Sequence, residues 1–285
     1  MIPSSFEYFA PRSLKEAVEL LSSYPEDVKL LAGGQSLVPL LKLRLAKPKY
    51  IIDLGRISSL KTIRQDGDTL AIGALVTHAD IEGSELLKRA CPLLPQTATT
   101  IADVQVRNQG TLGGSVAHAD PAGDMPAAVL ALGARIKAVG PAGERWIKAE
   151  DFFFGFLMSA LEPNEIITEI AVPVLDGLKT AYLKAAQRTS GFAVAGIAVC
   201  LKLNGGGTCE DIAIGVTGVG DKAYRAYSVE SALKSKVLAP EVIEEAAAQV
   251  TDGIDITEDI NGSKEYRSHL ARVYTARAIE SALKA

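Results

Sequence analysis

Gln105-Val106-Arg107-Asn108-Gln109-Gly110-Thr111-Leu112-Gly113-Gly114-Ser115 is the stretch on which the fold turns. Its glycines stand beside hydroxyl side chains, and glycine lets a backbone approach an anion closely and reach positive φ. A second loop of the same kind lies upstream, Leu31-Ala32-Gly33-Gly34-Gln35-Ser36-Leu37. The short apolar run of residues 28–31 reads as a strand leading into it, and residues 37–41 read as a short helix. The N-terminal N–H groups of that helix can point at a phosphate, with the Ser36 hydroxyl as a further donor. One such loop reads as a turn, whereas two read as a diphosphate clamped from both sides. The upstream loop is not a Walker A loop, since no Gly-Lys-Ser/Thr follows, and it does not carry the Gly-x-Gly-x-x-Gly of a doubly wound dinucleotide fold.

Working outward, Ser13 and Glu16 form a capping box before Leu14, Ala17, Val18 and Leu21, which predicts a helix over residues 13–22 that Pro25 stops. Residues 50–54 supply a partner strand and close a small α/β unit. From Leu60 short strands alternate with short helices. Residues 69–73 read as a strand, Thr77 opens a helix, the second glycine loop follows, residues 121–132 read as a helix, and residues 166–172 form a strand stopped at Pro173. Beyond Gly177, strands are expected at 181–186, 193–203 and 211–216, and helices at 240–250 and 264–283. An Asn204-Gly205 turn joins the last two strands and sets Cys200 opposite Cys209. The class is α+β. Residues 1–176 form one domain with lobes at about 1–57 and 58–176, and residues 177–285 form a smaller α+β domain of three strands plus helices.

With 285 residues, 48% of them hydrophobic, the chain can bury a full core. A net charge of -4 supplies no broad basic field for nucleic acid. No stretch approaches the ~20 apolar residues of a membrane span, and the start lacks a leader pattern, so a cytoplasmic location is expected. Cys91, Cys200 and Cys209 are too few and scattered to hold an iron–sulfur cluster or a zinc ion, and reduced thiols are the favoured reading. His78, His118 and His269 stand apart from any ligand spacing, so no metal site and no catalytic triad is expected. Polar residues cluster around the second loop: Asn108, Thr111, Ser115, His118, Asp120 and Asp124. Their plain reading, Asp120 capping a helix with Asp124 in its first turn, leaves Gly113 and Gly114 unexplained. Phe152, Phe153, Phe154 and Tyr182 read as core, while Phe192 follows Gly191 on a loop. The run from Gly215 to Gly220 has the wrong glycine spacing for a nucleotide and reads as a strand end entering a tight turn.

Together, the segments 31–39, Asp53-Leu54 and Val104 through Asp124 resemble the FAD-binding medium subunit of molybdenum hydroxylases, the flavoprotein family of xanthine dehydrogenases and aerobic carbon monoxide dehydrogenases. The resemblance covers the whole chain, and makes the region after residue 176 a C-terminal domain of the carbon monoxide dehydrogenase flavoprotein type. It implies a two-lobed FAD-binding domain of the vanillyl-alcohol-oxidase type, with FAD between the lobes. By matching motifs, Ala32, Gly33, Gly34, Gln35, Ser36, Leu37 and Val38, with Thr111, Gly113, Gly114 and Ser115, would hold the diphosphate. Asp124, Ile167 and Lys184 would touch the rest of FAD, and Phe192 would lie near the isoalloxazine ring. Two departures stand out: Gln35 replaces a histidine of some relatives, and Phe192 lacks the phenol or indole donor found in others.

The implied activity is electron transfer. A small subunit with two [2Fe-2S] clusters passes electrons to FAD on this chain, an external acceptor takes them, and a large subunit with a molybdenum cofactor oxidises the substrate. Flavin carries the redox chemistry, so no general acid or base is nominated. Two other readings stay open: a stand-alone flavin oxidoreductase using His118 or Lys184, and a non-redox module holding a phosphorylated ligand.

Overall fold

A computed structural model describes residues 2–285 and contains an α+β protein with several sheets. The first lobe comprises β1 (Glu7–Phe9), α1 (Leu14–Ser23), β2 (Val28–Leu31), α2 (Leu37–Lys42) and β3 (Tyr50–Asp53). Its strands run parallel in the order β1-β3-β2, so all three end at the edge where the first glycine loop begins. Ser13 caps α1 by accepting the Glu16 N–H at 3.2 Å. The capping box is half formed, because the Glu16 carboxylate accepts from the Arg12 N–H instead of that of Ser13.

The second lobe is built on β4 (Ile63–Asp66), β5 (Thr69–Gly73), α3 (His78–Gly83), α4 (Glu85–Ala90), α5 (Leu93–Ala98), α6 (Val104–Arg107), α7 (Leu112–His118) and α8 (Asp124–Ala131). It continues through β6 (Arg135–Gly140), β7 (Gly143–Lys148), the hairpin β8 (Phe153–Gly155) and β9 (Met158–Ser159), and β10 (Ile166–Pro173). Five strands pair antiparallel in the order β4-β5-β10-β6-β7. Phe152 and Phe153 are core residues as expected, but Phe154 is exposed on the β8–β9 hairpin.

The last part comprises β11 (Lys179–Ala186), β12 (Ala193–Leu203), β13 (Cys209–Thr217), β14 (Tyr224–Arg225), α9 (Tyr227–Leu233), α10 (Pro240–Ala247) and α11 (Lys264–Lys284). The sheet order is β11-β12-β13-β14, one strand more than the sequence reading found, since a two-residue strand leaves no periodic signal. The central strand β12 is apolar along most of its length because both its faces are covered. Ala198 and Cys200 pack into the core of the second lobe, while Ile197, Val199 and Leu201 pack under the C-terminal helices. The sheet is thereby clasped to the second lobe by one face.

That clasp corrects the expected helix at 121–132. The Thr217 hydroxyl donates to the carbonyls of Pro121 and Gly123, at 2.6 and 2.8 Å, the Gly218 N–H also donates to Pro121, and the Ala193 N–H donates to Ala122. The Pro121 carbonyl accepts twice from the sheet and that of Ala122 once, which holds residues 121–122 out of the helix, and α8 starts at Asp124 with Gly123 as cap. Asp120 is not the cap and accepts from the Ala122 N–H within the turn. Gly215 belongs to the same clasp: a Cβ there would lie 2.0 Å from the Ala127 carbonyl oxygen on α8.

The expected pairing of Cys200 opposite Cys209 is also corrected. The loop runs from Asn204 to Thr208, and a bulge shifts the register so that Cys200 faces Ala213 and Cys209 faces Leu203. The two thiols lie in different cores, on opposite faces of the sheet. All three cysteines are free and buried, and burial pushes the Cys91 thiol up to about 12. A thiol reagent should therefore react slowly with the native protein and find three thiols after denaturation without reductant. A count of one would show two of the cysteines joined in a disulfide.

Candidate functional site

The two glycine loops meet. A Cβ on Gly33 would lie 1.9 Å from the Gln109 carbonyl oxygen and 2.9 Å from the Gly110 Cα, so the loops touch backbone to backbone at that point. Ala32 approaches Gly114 across the same junction, where a Cβ on Gly114 would stand 3.7 Å from the Ala32 Cβ. Gly34 takes φ +74°, a left-handed value that suits glycine, and bends the chain from β2 into α2.

The loops differ in what they leave free. Among the described residues, the N–H groups of Gly33, Gly34, Gln35, Ser36 and Leu37 have no intramolecular acceptor. The Ser36 hydroxyl makes no capping bond either. Backbone donors are obligatory hydrogen-bonding groups, and a row of them at a helix N-terminus is an anion cradle. In the second loop the N–H groups of Leu112, Gly113, Gly114 and Ser115 are spent inside the protein, on Val76, Ala74 and Thr111. Thr111 is the N-cap of α7, and its own N–H is the one left over among the described residues. Gly113 is needed for packing, because a Cβ there would lie within 3 Å of three Ala74 atoms. The idea that both loops aim backbone donors at an anion equally is therefore revised: the first loop carries the donors, and the second forms a shaped wall.

His78 backs that wall. Its N–H donates to the Gly110 carbonyl at 2.9 Å, and a Cβ on Gly110 would meet the imidazole at 3.0 Å. Burial, with the nearby Arg107 charge, depresses His78 to about 4, so the ring is neutral near pH 7. The unfolded chain binds this proton near pH 6.5 and the folded chain only near pH 4. Stability is unaffected above pH 6.5 and is lost as pH falls through that window, by roughly 3 kcal/mol in full. His78→Leu should flatten the stability profile between pH 6.5 and 4. Parallel unfolding curves for the two proteins would show that His78 does not titrate there.

A second cluster lies where α8 meets β11. Asp124, the first residue of α8, is buried and accepts from the Tyr182 hydroxyl at 2.5 Å and from Lys184 Nζ at 2.9 Å. Lys184 also donates to the Gly191 carbonyl at 2.6 Å, which fixes the turn that presents Phe192. Burial pushes the Asp124 carboxyl up against the opposing pull of the Lys184 ammonium, and the Tyr182 phenol is pushed well up by burial. An ammonium has three donors, and two of those on Lys184 are spent here. The third has no partner among the described residues.

Of the residues singled out from sequence, Ala32 to Val38 and Thr111 to Ser115 converge, and Asp124 and Lys184 are joined by a direct ion pair. Phe192 stands 44% exposed beside them in sequence from Gly191. The Ile167 side chain is turned into the second-lobe core, in the same cluster as Leu112, and its neighbour Ile166 packs with Leu75 and Ile52 between the lobes. Tyr182 carries only a core signal in the sequence, which gives no sign of its bond to Asp124. Among the described residues no cluster of three or more His, Cys, Asp or Glu could hold a metal ion, and no helix is long and apolar enough to cross a membrane.

Residues 4–175 match the family model described as the FAD binding domain in molybdopterin dehydrogenase, and residues 180–282 match that of the CO dehydrogenase flavoprotein C-terminal domain. The chain is 41% identical over 283 residues to the carbon monoxide dehydrogenase medium chain of Hydrogenophaga pseudoflava, covering 99% of this chain and 98% of that one. It is 39% identical to the glyceraldehyde dehydrogenase medium chain of Sulfolobus acidocaldarius, covering 98% and 99%. A solved structure of the Hydrogenophaga pseudoflava carbon monoxide dehydrogenase lacking the Mo-pyranopterin moiety of its cofactor superimposes with TM-score 0.97 at 42% identity, over 100% of this chain and 99% of that one.

Proposed function

We propose a specific electron-transfer role for this chain, which belongs to the family of FAD-binding domains in molybdopterin dehydrogenases and is an oxidoreductase subunit of the kind found in multi-subunit molybdenum enzymes. FAD bound here takes electrons from iron–sulfur clusters on a small partner subunit and releases them to an external acceptor, while a molybdenum cofactor on a large partner subunit oxidises the substrate. The observation that carries this reading is the row of unsatisfied N–H groups from Gly33 to Leu37 facing a second glycine loop at backbone contact. Such a row suits a diphosphate, and the residues present fit FAD.

In this reading Ala32 to Val38 hold the diphosphate with backbone donors and the Ser36 hydroxyl, and Thr111 to Ser115 close its other side, Thr111 with its free N–H and Ser115 with its hydroxyl. Asp124 acts through Lys184: with both carboxylate oxygens engaged, it fixes the ammonium whose third donor reaches the flavin. Phe192 forms an apolar wall and cannot donate a hydrogen bond. Ile167 has no side-chain route to the cofactor, and a contact from it would come from the backbone. The chain divides near residue 176 into the FAD-binding part and the C-terminal part, and its place is the cytoplasm.

The chain supplies no cysteine ligand set and no metal cluster among the described residues, which supports a division of labour with partner subunits. The test is rapid mixing of the intact complex with substrates of the relatives' kinds, carbon monoxide and glyceraldehyde among them. Iron–sulfur absorbance should bleach before or with flavin absorbance, and the isolated chain should stay oxidised with the same compounds. An isolated chain that turns over an organic substrate without partners would make it a self-sufficient flavoenzyme.

A further inference from the structure

We propose that His118 is a ligand of FAD, hydrogen-bonding the ribityl chain between the diphosphate and the flavin ring, an inference that rests on the FAD reading above. The helix α7 has two sides. Leu112, Gly113 and Val116 are buried in the second lobe, while Gly114, Ser115, Ala117 and His118 are half-buried opposite them. At spacings of three and four residues, Gly114, Ser115 and His118 share one side of the helix. Gly114 shows which way that side looks, because it is the residue that meets Ala32 of the first loop.

The polar groups of this stripe are free. Before it, the Thr111 hydroxyl accepts from the Gly114 N–H, and after it the Asp120 carboxylate accepts from the Ala122 N–H. Between them, the Ser115 hydroxyl and both nitrogens of the His118 ring have no hydrogen-bond partner among the described residues. An imidazole has at least one N–H to donate, and covering it without a partner costs free energy.

The two ends of the cofactor's path lie on either side of His118. At the N-terminal end of α7 the two glycine loops meet around the diphosphate. At its C-terminal end Ala119 turns the chain with φ +51°, the Ala122 carbonyl accepts from the Ala193 N–H next to Phe192, and Asp124 holds Lys184. His118 stands one turn beyond Ser115 toward this second end, about 4.5 Å along the helix axis. In FAD the segment between diphosphate and ring is ribityl, a five-carbon chain whose hydroxyls both donate and accept. His118 is the free polar side chain of the stripe that the diphosphate does not already claim.

The experiment titrates three flavins into the flavin-depleted full chain and into its His118→Ala variant, read by fluorescence quenching. They are FAD, riboflavin, which lacks the diphosphate, and lumiflavin, which lacks the ribityl chain as well. His118→Ala should weaken FAD and riboflavin by a common factor of about 3 to 10, the worth of one hydrogen bond, and leave lumiflavin binding unchanged. In the unmodified chain riboflavin should bind more tightly than lumiflavin, a readout independent of the variant's folding. Equal affinity of the unmodified chain for riboflavin and lumiflavin overturns the ribityl contact. So does unchanged riboflavin affinity in His118→Ala, or a loss that extends equally to lumiflavin. An unmodified chain that binds none of the three overturns the FAD reading itself.

Discussion

Gly33→Val leaves the chain able to fold and strips it of flavin. The first β-carbon would fall 1.9 Å from one backbone atom of the second loop and under 3 Å from two others, and backbone cannot swing aside as a long side chain can. The loops must part, and the row of N–H groups moves away from its opposing wall. Overpacking of this kind costs about 1–3 kcal/mol in stability, which a chain with three buried clusters can absorb. Loss of a cofactor held by many aligned donors is a larger proportional effect. The measurement is the ratio of flavin to protein absorbance after purification, with Gly206→Val as control, since nothing but the neighbouring Asn204 side chain lies near a Cβ there. Equal flavin content in both variants would show that the contact of the loops is incidental to the cofactor.

Lys184→Met should cost about 3–5 kcal/mol of stability, because it leaves the Asp124 carboxylate buried without its ammonium. Removing the cation also removes the main pull holding the carboxyl down, so Asp124 moves further up than in the unmodified chain. A carboxyl raised by folding is protonated in the folded state while the unfolded chain has already ionised. Its contribution is present at low pH and is lost as pH rises through the raised value, so Lys184→Met should lose stability toward alkaline pH more steeply than the parent. Denaturant unfolding across the pH range reads both effects. The double variant Asp124→Leu with Lys184→Met should recover most of the lost stability, since two apolar residues can replace a buried ion pair at little net cost. A single variant as stable as the parent at every pH would mean that the pair is solvated in solution.

Much of this fold is legible in the sequence because the signals are local. Ser13, Thr77 and Pro240 announce helix starts by capping or fixed φ, and the chain obeys them. The apolar run of β12 and the turns at the two glycine loops follow from periodicity and composition alone. The failures have long-range causes. Residues 121–123 look helical until Thr217 and Gly218, almost a hundred residues on, take their carbonyls. Cys200 and Cys209 look like hairpin partners until a bulge turns them to opposite faces.

The site is legible in the same partial way. Gly33 and Gly113 look equivalent in sequence, yet one touches the other loop and the other packs on Ala74 of its own lobe. Which backbone donors are free depends on acceptors such as Val76 and Ala74, supplied by a different strand end. Tyr182 alternates like any core residue of a strand, and only the arrival of α8 gives its hydroxyl a partner.

The most direct test of the diphosphate cradle is a comparison of FAD and riboflavin binding to the flavin-depleted chain by fluorescence quenching. Both ligands carry the isoalloxazine ring, and only FAD carries the diphosphate. FAD should bind far more tightly, with Gly33→Val erasing the difference. Equal affinity for the two ligands would contradict a site built around the donors from Gly33 to Leu37.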